Sequence, residues 1–299
     1  MRFAIRRLMV LIIGFALAVS GTAYGSAASA KPVSKPFPYT LYIDGERLDF
    51  AASAGPFNRN GTAYVPFRPV FERMGWNASW DQRKKQASGT GDQWTIVITA
   101  GTTRAIINGI NKEMPAPAIL ENGVVYVPLR FVAEASGGQI QLYGGWMGAA
   151  WLLTAKQLAL LDAIFQENLD AMEELLRKGA DPMVGFGPVA PPIVSFVTFL
   201  KDNVEITALL LKNGLDVNAA DSYNGATMLH LAVLHNRIHT VRYLLEQGAD
   251  VTLDSRLGTP LEIAETNAIG EENEEMVELL TSYLEQAEES ANEDEVNKI

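Results

Sequence analysis

Three histidines and no cysteine bound the metal and nucleophile chemistry open to this chain. His235 and His239 stand four apart, a spacing that on one helix face could hold a metal ion, and His230 lies just upstream. Zero cysteine excludes a disulfide scaffold, an iron–sulfur cluster, a thiolate zinc site and a cysteine nucleophile. No G-x-S-x-G, H-E-x-x-H or phosphate-loop motif occurs. Gly89-Thr90-Gly91-Asp92 reads as a hairpin turn, because no Lys-Ser/Thr helix start follows it. Arg68 with Glu72, and Arg130 with Glu134, are i,i+4 pairs. They read as weak helix-surface ion pairs in preference to anion sites at helix starts. Trp76, Trp80, Trp94, Trp146 and Trp151 would serve as core in a small sheet, or as a platform for sugar rings if exposed in a row. Asp and Glu number 35 against 24 Lys and Arg, a net charge of −11. That excess reads as a solvated acidic surface and argues against nucleic acid as a partner. The expectation is a protein that is not an enzyme and needs no cofactor or metal.

The elements that position these residues fall into unlike parts. Arg2, Arg6 and Arg7 precede an apolar stretch from Leu8 to Val19, and Ala28-Ser29-Ala30 offers a cleavage site. Residues 1–30 therefore read as a secretory signal peptide, with a retained anchor as the alternative, so the expected location is secreted or cell-envelope associated. No later segment is long and apolar enough to span a bilayer as a helix. Residues 31–150 carry 12 basic and 9 acidic residues, whereas 151–299 carry 9 and 26, a net of −17. Such a shift marks two domains of different kind.

The first half is duplicated. Residues 60–75, from Asn60-Gly61 through Tyr64-Val65-Pro66, Arg68, Val70 and Glu72 to Gly75, recur 62 positions later at 122–137 with nine of sixteen identities. Ile43-Asp44-Gly45 and Ile107-Asn108-Gly109 lie upstream of the two copies. Asn-Gly is a tight-turn signal, the β-branched and aromatic run after it a strand, and Pro66 and Pro128 the strand end. A short helix follows, with Val70, Phe71 and Met74, or Val132 and Ala133, inward, closed by Gly75 or Gly137. Residues 39–154 read as a tandem α+β unit, antiparallel strands around short helices. The twice-repeated V-P-x-R-x-V-x-E-x-x-G after an N-G turn resembles the copper amine oxidase N-terminal-like (stalk) domain of exported bacterial proteins. That resemblance implies a non-catalytic appendage and no oxidase activity. Tyr143-Gly144-Gly145-Trp146-Met147-Gly148 departs from the pattern and leaves the end of the sheet open.

The second half repeats at about 34 residues. Leu175-Leu176-Arg177-Lys178-Gly179-Ala180-Asp181 returns at 210–216 and 244–250, and Gly225-Ala226-Thr227-Met228-Leu229-His230-Leu231-Ala232 has a relative starting at Gly258-Thr259-Pro260-Leu261. These segments resemble ankyrin repeats, which implies an all-α repeat solenoid over 157–286 with about four repeats. Thr227 is expected to cap a helix, Pro260 to sit early in one, and Leu229, Leu231, Val241, Leu244 and Leu245 to form the buried stripe. Gly179, Gly214 and Gly248 are expected to end helices, with Asp181, Asp216 and Asp250 in the turns that follow. In this register Asn236 falls in a turn, so His235 and His239 do not share a helix face, and His230 takes the motif position that bonds neighbouring repeats. Residues 185–192 replace an opening turn, and 269–273 read as an insertion. The polar, acidic segment 287–299 is expected to be a disordered tail.

The expected function is an exported, non-catalytic protein–protein interaction module. The repeats would bind a protein partner with a basic surface through turn-tip residues Asp221, Tyr223, Asn224, Asp254, Arg256 and Leu257, with the stalk half as spacer or surface-docking unit. The alternative is a cell-wall glycan-binding protein that uses the tryptophans.

Overall fold

The computed structural model describes residues 34–91, 94–145, 148–184, 202–221, 224–266 and 271–296. The expected signal peptide, the 185–192 segment, Tyr223 and Trp146 lie outside them. The architecture is a β-rich α+β unit followed by an all-α helical array.

The first unit is built twice on one plan. In the first copy, hairpin β2–β3 (Thr40–Ile43, Glu46–Leu48) precedes hairpin β4–β5 (Phe57–Arg59, Thr62–Pro66). Helix α1 (Phe67–Arg73), then β6 (Asn77–Asp81) and β7 (Gln86–Thr90), follow. In the second copy the order is β9–β10 (Arg104–Ile107, Ile110–Glu113), β11–β12 (Ile119–Glu121, Val124–Pro128), α2 (Leu129–Ala135), β13 (Gln139–Tyr143) and β14 (Ala149–Leu153). Only β1 (Lys35–Pro36) and β8 (Thr95–Thr99) fall outside the duplication. The open question of the second copy's end is thereby answered: β13 and β14 form a full hairpin.

Turn chemistry sets the register. The four pairs Asp44-Gly45, Asn60-Gly61, Asn108-Gly109 and Asn122-Gly123 take φ of 45–52° at the first residue and 76–82° at the second. These are the values of a type I′ hairpin turn, which matches the twist of the flanking strands. Three sheets result, in the orders β1-β4-β5-β12-β11, β10-β9-β8-β7-β6 and β13-β14-β2-β3. The two copies meet at β5 and β12, where Val65 lies opposite Val127, and Tyr64 and Pro66 lie opposite Pro128 and Tyr126. The pairing has local two-fold symmetry about the valine pair. Arg59 and Glu121, which occupy equivalent positions 62 apart, form an ion pair across it at 2.7 Å.

One pairing corrects the expectation of wholly antiparallel strands. β14 lies parallel to β2, with Trp151 opposite Tyr42 and Leu152 opposite Ile43. The chain's last strand thus closes on one of its first, which a hairpin cannot do.

The core of the first unit holds Val65 and Val127 with Val70, Phe71, Val132 and Ala133, the last four inward as expected, and Met74 packs half-buried against it. The expected i,i+4 ion pairs do not form: Arg68, Glu72, Arg130 and Glu134 are exposed, and among the described residues none of them is in an ion pair. Short seven-residue helices leave these long side chains in water, where such a pair is worth little. The expected turn at Gly89–Asp92 is also shifted. Gly89 and Thr90 belong to β7, and the turn runs from Gly91, whose N–H donates to the Trp94 carbonyl.

The helical half begins at once after β14. Helices α3 (Ala155–Phe165) and α4 (Leu169–Arg177) form the first pair, and α5 (Val204–Lys212) follows. Then come α6 (Met228–Leu234), α7 (Ile238–Glu246), α8 (Pro260–Thr266) and α9 (Glu271–Val296). Leu229, Leu231, Val241, Leu244 and Leu245 are buried. Gly179, Gly214 and Gly248 have positive φ, and the carboxylates of Asp181, Asp216 and Asp250 each accept the N–H two residues on. The segment expected to be a disordered tail is helical as far as Val296. Its alanine and glutamate favour helix, and the same helix is anchored upstream by buried Met276 and Leu280.

Candidate partner-binding surface

The tips of the repeats are rigid because their own side chains tie them. Asp221 is buried, 6% exposed. Its Oδ1 accepts the Asn224 N–H at 2.9 Å, and its backbone closes the turn on Gly225 and Ala226. Asn224 Oδ1 accepts the Ala226 N–H at 2.8 Å. The next tip docks on this one, since Arg256 N–H donates to the Asn224 carbonyl at 2.8 Å. Asp254 accepts the Ser255 N–H, and the Ser255 hydroxyl donates to the Gly258 carbonyl while accepting from Leu257 N–H.

The expected contact residues therefore divide. Asp254, Arg256 and Leu257 are exposed, and Leu257 is 41% exposed despite its apolar side chain. Asn224 is half-buried and Asp221 buried, so both shape the tip from beneath. A turn aspartate is drawn inward because its carboxylate satisfies backbone N–H groups.

Two positioning residues escaped the sequence reading. Asn218 donates to the Gly248 carbonyl and accepts the Asp250 N–H at 2.8 Å, which stitches one repeat turn to the next. Asp202 accepts from His239 N–H, Thr240 N–H and the Thr240 hydroxyl, and so caps α7 from the preceding repeat. Asn218 carries a local signal, an amide two residues after a turn aspartate. Asp202 carries none, because its partners lie 37 and 38 residues away.

The histidines are structural in this arrangement. His230 is fully buried; its Nδ1 accepts the Thr227 N–H at 3.1 Å in a capping box, and its Nε2 faces the Leu253 carbonyl at 3.1 Å. These contacts require the neutral form with the proton on Nε2. Burial holds the imidazole below its ordinary range, with the Leu253 carbonyl and Asp254 opposing. His235 ends α6, Asn236 follows at φ 52°, and His239 sits on α7, so the two imidazoles occupy different elements as the register implied. Among the described residues, no three His, Asp or Glu side chains converge on a site for a metal ion.

The tryptophans make no exposed row among the described residues. Trp76 is buried edge-on against Phe71, with ring centroids 5.1 Å apart, and Trp151 is buried. Trp80 and Trp94 pack half-buried against the first core. The alternate faces on which they lie were not assignable from sequence, and burial of their large apolar area places them inward.

Comparison with known proteins agrees with this division. Residues 42–145 match the copper amine oxidase N-terminal domain family, and residues 195–292 match ankyrin repeats. The repeat protein named "Putative ankyrin repeat protein FPV219" of Fowlpox virus (strain NVSL) is 32% identical over 158 residues, 43% of this chain and 36% of its own length. Protein PhlB of Serratia liquefaciens is 38% identical over 111 residues, 36% of this chain and 48% of its own. "Putative E3 ubiquitin-protein ligase XBAT34" of Arabidopsis thaliana is 30% identical over 112 residues, 37% of this chain and 30% of its own. The chain spans less than half the length of each of these relatives. It carries a copper amine oxidase N-terminal domain followed by ankyrin repeats.

Proposed function

We propose that this is an exported, non-catalytic interaction protein, whose ankyrin repeats bind a protein partner with a basic surface. The observation that carries the reading is the pair of hydrogen-bonded repeat tips, which present Asp254, Arg256 and an exposed Leu257 on a backbone already ordered before binding. Preorganised tips lose little conformational entropy on association. The net charge of −17 over residues 151–299 supports a basic partner, steered by charge. The basic, apolar and small-residue pattern of residues 1–30 supports export and a secreted or cell-envelope location.

Capture and crosslinking of cell-envelope proteins on the full chain tests the reading. A protein partner is expected whose recovery falls about tenfold between roughly 0.05 and 0.5 M salt. Leu257→Asp and Asp254→Lys are expected to weaken that capture by a similar factor, about 1.4 kcal/mol each. Recovery of no salt-sensitive protein, or capture by the variants equal to that of the unaltered chain, overturns it.

A further inference from the structure

We infer that the first domain is the amino-terminal cap of the ankyrin array, and that the two halves therefore form one folding unit. A repeat array exposes an apolar face at its end unless a specialised cap covers it. Here the sheet β13-β14-β2-β3 does so. Successive residues of β14 serve opposite cores: Ala150 and Leu152 pack into the first domain, and Trp151 and Leu153 into the helical core. Tyr42, stacked on Trp151 at 5.1 Å between ring centroids, and Tyr143 pack on the helical side with them.

The duplication supplies an internal control. β7 and β9 are the duplicate counterparts of β14 and β2, and they lie in the sheet β10-β9-β8-β7-β6 on either side of β8. Their inward residues, Ala87, Gly89, Ala105 and Ile107, are buried, as are Ala150, Leu152, Leu41 and Ile43. The outward positions differ. Where Trp151, Leu153 and Tyr42 cover the array, the other sheet carries Ser88, Thr90 and Ile106, with Thr90 and Ile106 exposed. At these positions aromatic side chains stand on the outer face only in the sheet that has helices against it.

The chain junction repeats the same substitution. After the first copy's β7, Thr95 begins β8, and its N–H donates to Asn108 Oδ1, which also faces its hydroxyl. After the second copy's β14, Thr154 is the N-cap of α3, and its N–H and hydroxyl donate to Asp44 at 2.7 Å and 2.6 Å. The tie is kept while a helix replaces the strand. The turn below it is closed as well, since a methyl added at Gly45 would stand 3.2 Å from Val184, which belongs to the helical core.

Hydrogen exchange and thermal unfolding of the full chain test the inference, and they do so whether or not the repeats bind a protein. Probes in the two halves should report one coincident transition. Trp151→Ser, which installs the outward residue of the uncovered sheet, should accelerate amide exchange in α3 and α4 about tenfold or more. If that variant does not fold, Thr154→Val decides, with an expected acceleration of about threefold or more in α3. Separate transitions for the two halves, or exchange in α3 and α4 unchanged in the variant read, would overturn the cap.

Discussion

His230 ties α6 to the turn at Leu253 through one imidazole, and its capping contact depends on its charge. Its Nδ1 must stay bare to accept the Thr227 N–H, so protonation sets two N–H groups against each other. Burial lowers its folded pKa below the unfolded value. The contribution to stability is therefore complete above the unfolded range, near pH 6.5, and is lost as pH falls through the folded value. Thermal melts should fall between about pH 7.5 and 5. His230→Ala should lose about 1–3 kcal/mol at the upper pH and show a shallower decline, since a buried capping bond and an inter-repeat bond are gone. An unchanged slope would refute the assignment. His235, also lowered by burial and then by Arg237, supplies part of the remaining slope. The position of His230 was legible through the ankyrin-like motif that holds it, whereas its capping box with Thr227 was not read. The inward turn of Asp221 was not, because its carboxylate bonds with backbone that only the folded tip brings near.

At the scale of elements, the exchange of β8 for α3 after equivalent hairpins shows how a shared turn tolerates different continuations. Asp44 and Asn108 do the same work with different charge. Burial raises the Asp44 pKa, against the lowering effect of the Thr154 bonds and then of Lys156. Its ionised form is thus costlier in the fold, and the favourable contribution lies on the acid side, lost as pH rises through the folded value. Asp44→Asn, which copies Asn108, should change stability at neutral pH by less than about 1 kcal/mol. Asp44→Ala should cost about 1–3 kcal/mol, because the Thr154 N–H and hydroxyl both lose their acceptor. Chemical denaturation of the three proteins measures this, and equal losses for both variants would refute the tie. The strand and short helix of each repeated motif were legible from Asn-Gly turns, strand-ending prolines and helix-closing glycines. The parallel pairing of β14 with β2 was not, because the two strands lie about 110 residues apart and periodicity carries no partner.

Across the whole molecule, charge is distributed unevenly. Residues 151–299 hold 26 acidic and 9 basic side chains, and self-repulsion there opposes folding. The Arg242–Glu275 ion pair at 3.0 Å ties α7 to α9, but few cations are present to answer the rest. Raising salt from about 0.02 to 0.5 M should therefore raise the melting temperature by a few degrees, even as it weakens the proposed complex. A melting temperature that falls with salt would show that attractive pairs dominate.

The sequence by itself determined the two kinds of domain, their repeats, the two Asn-Gly turns and the buried stripe, since each of these rests on contacts within a few residues or within one repeat. Tertiary structure alone decided that Trp151 is core, that Asp221 lies beneath the tip while Asp254, Arg256 and Leu257 lie on it, and that one strand belongs to two cores. Those outcomes depend on which face of an element is covered, and the covering residues stand far away along the chain.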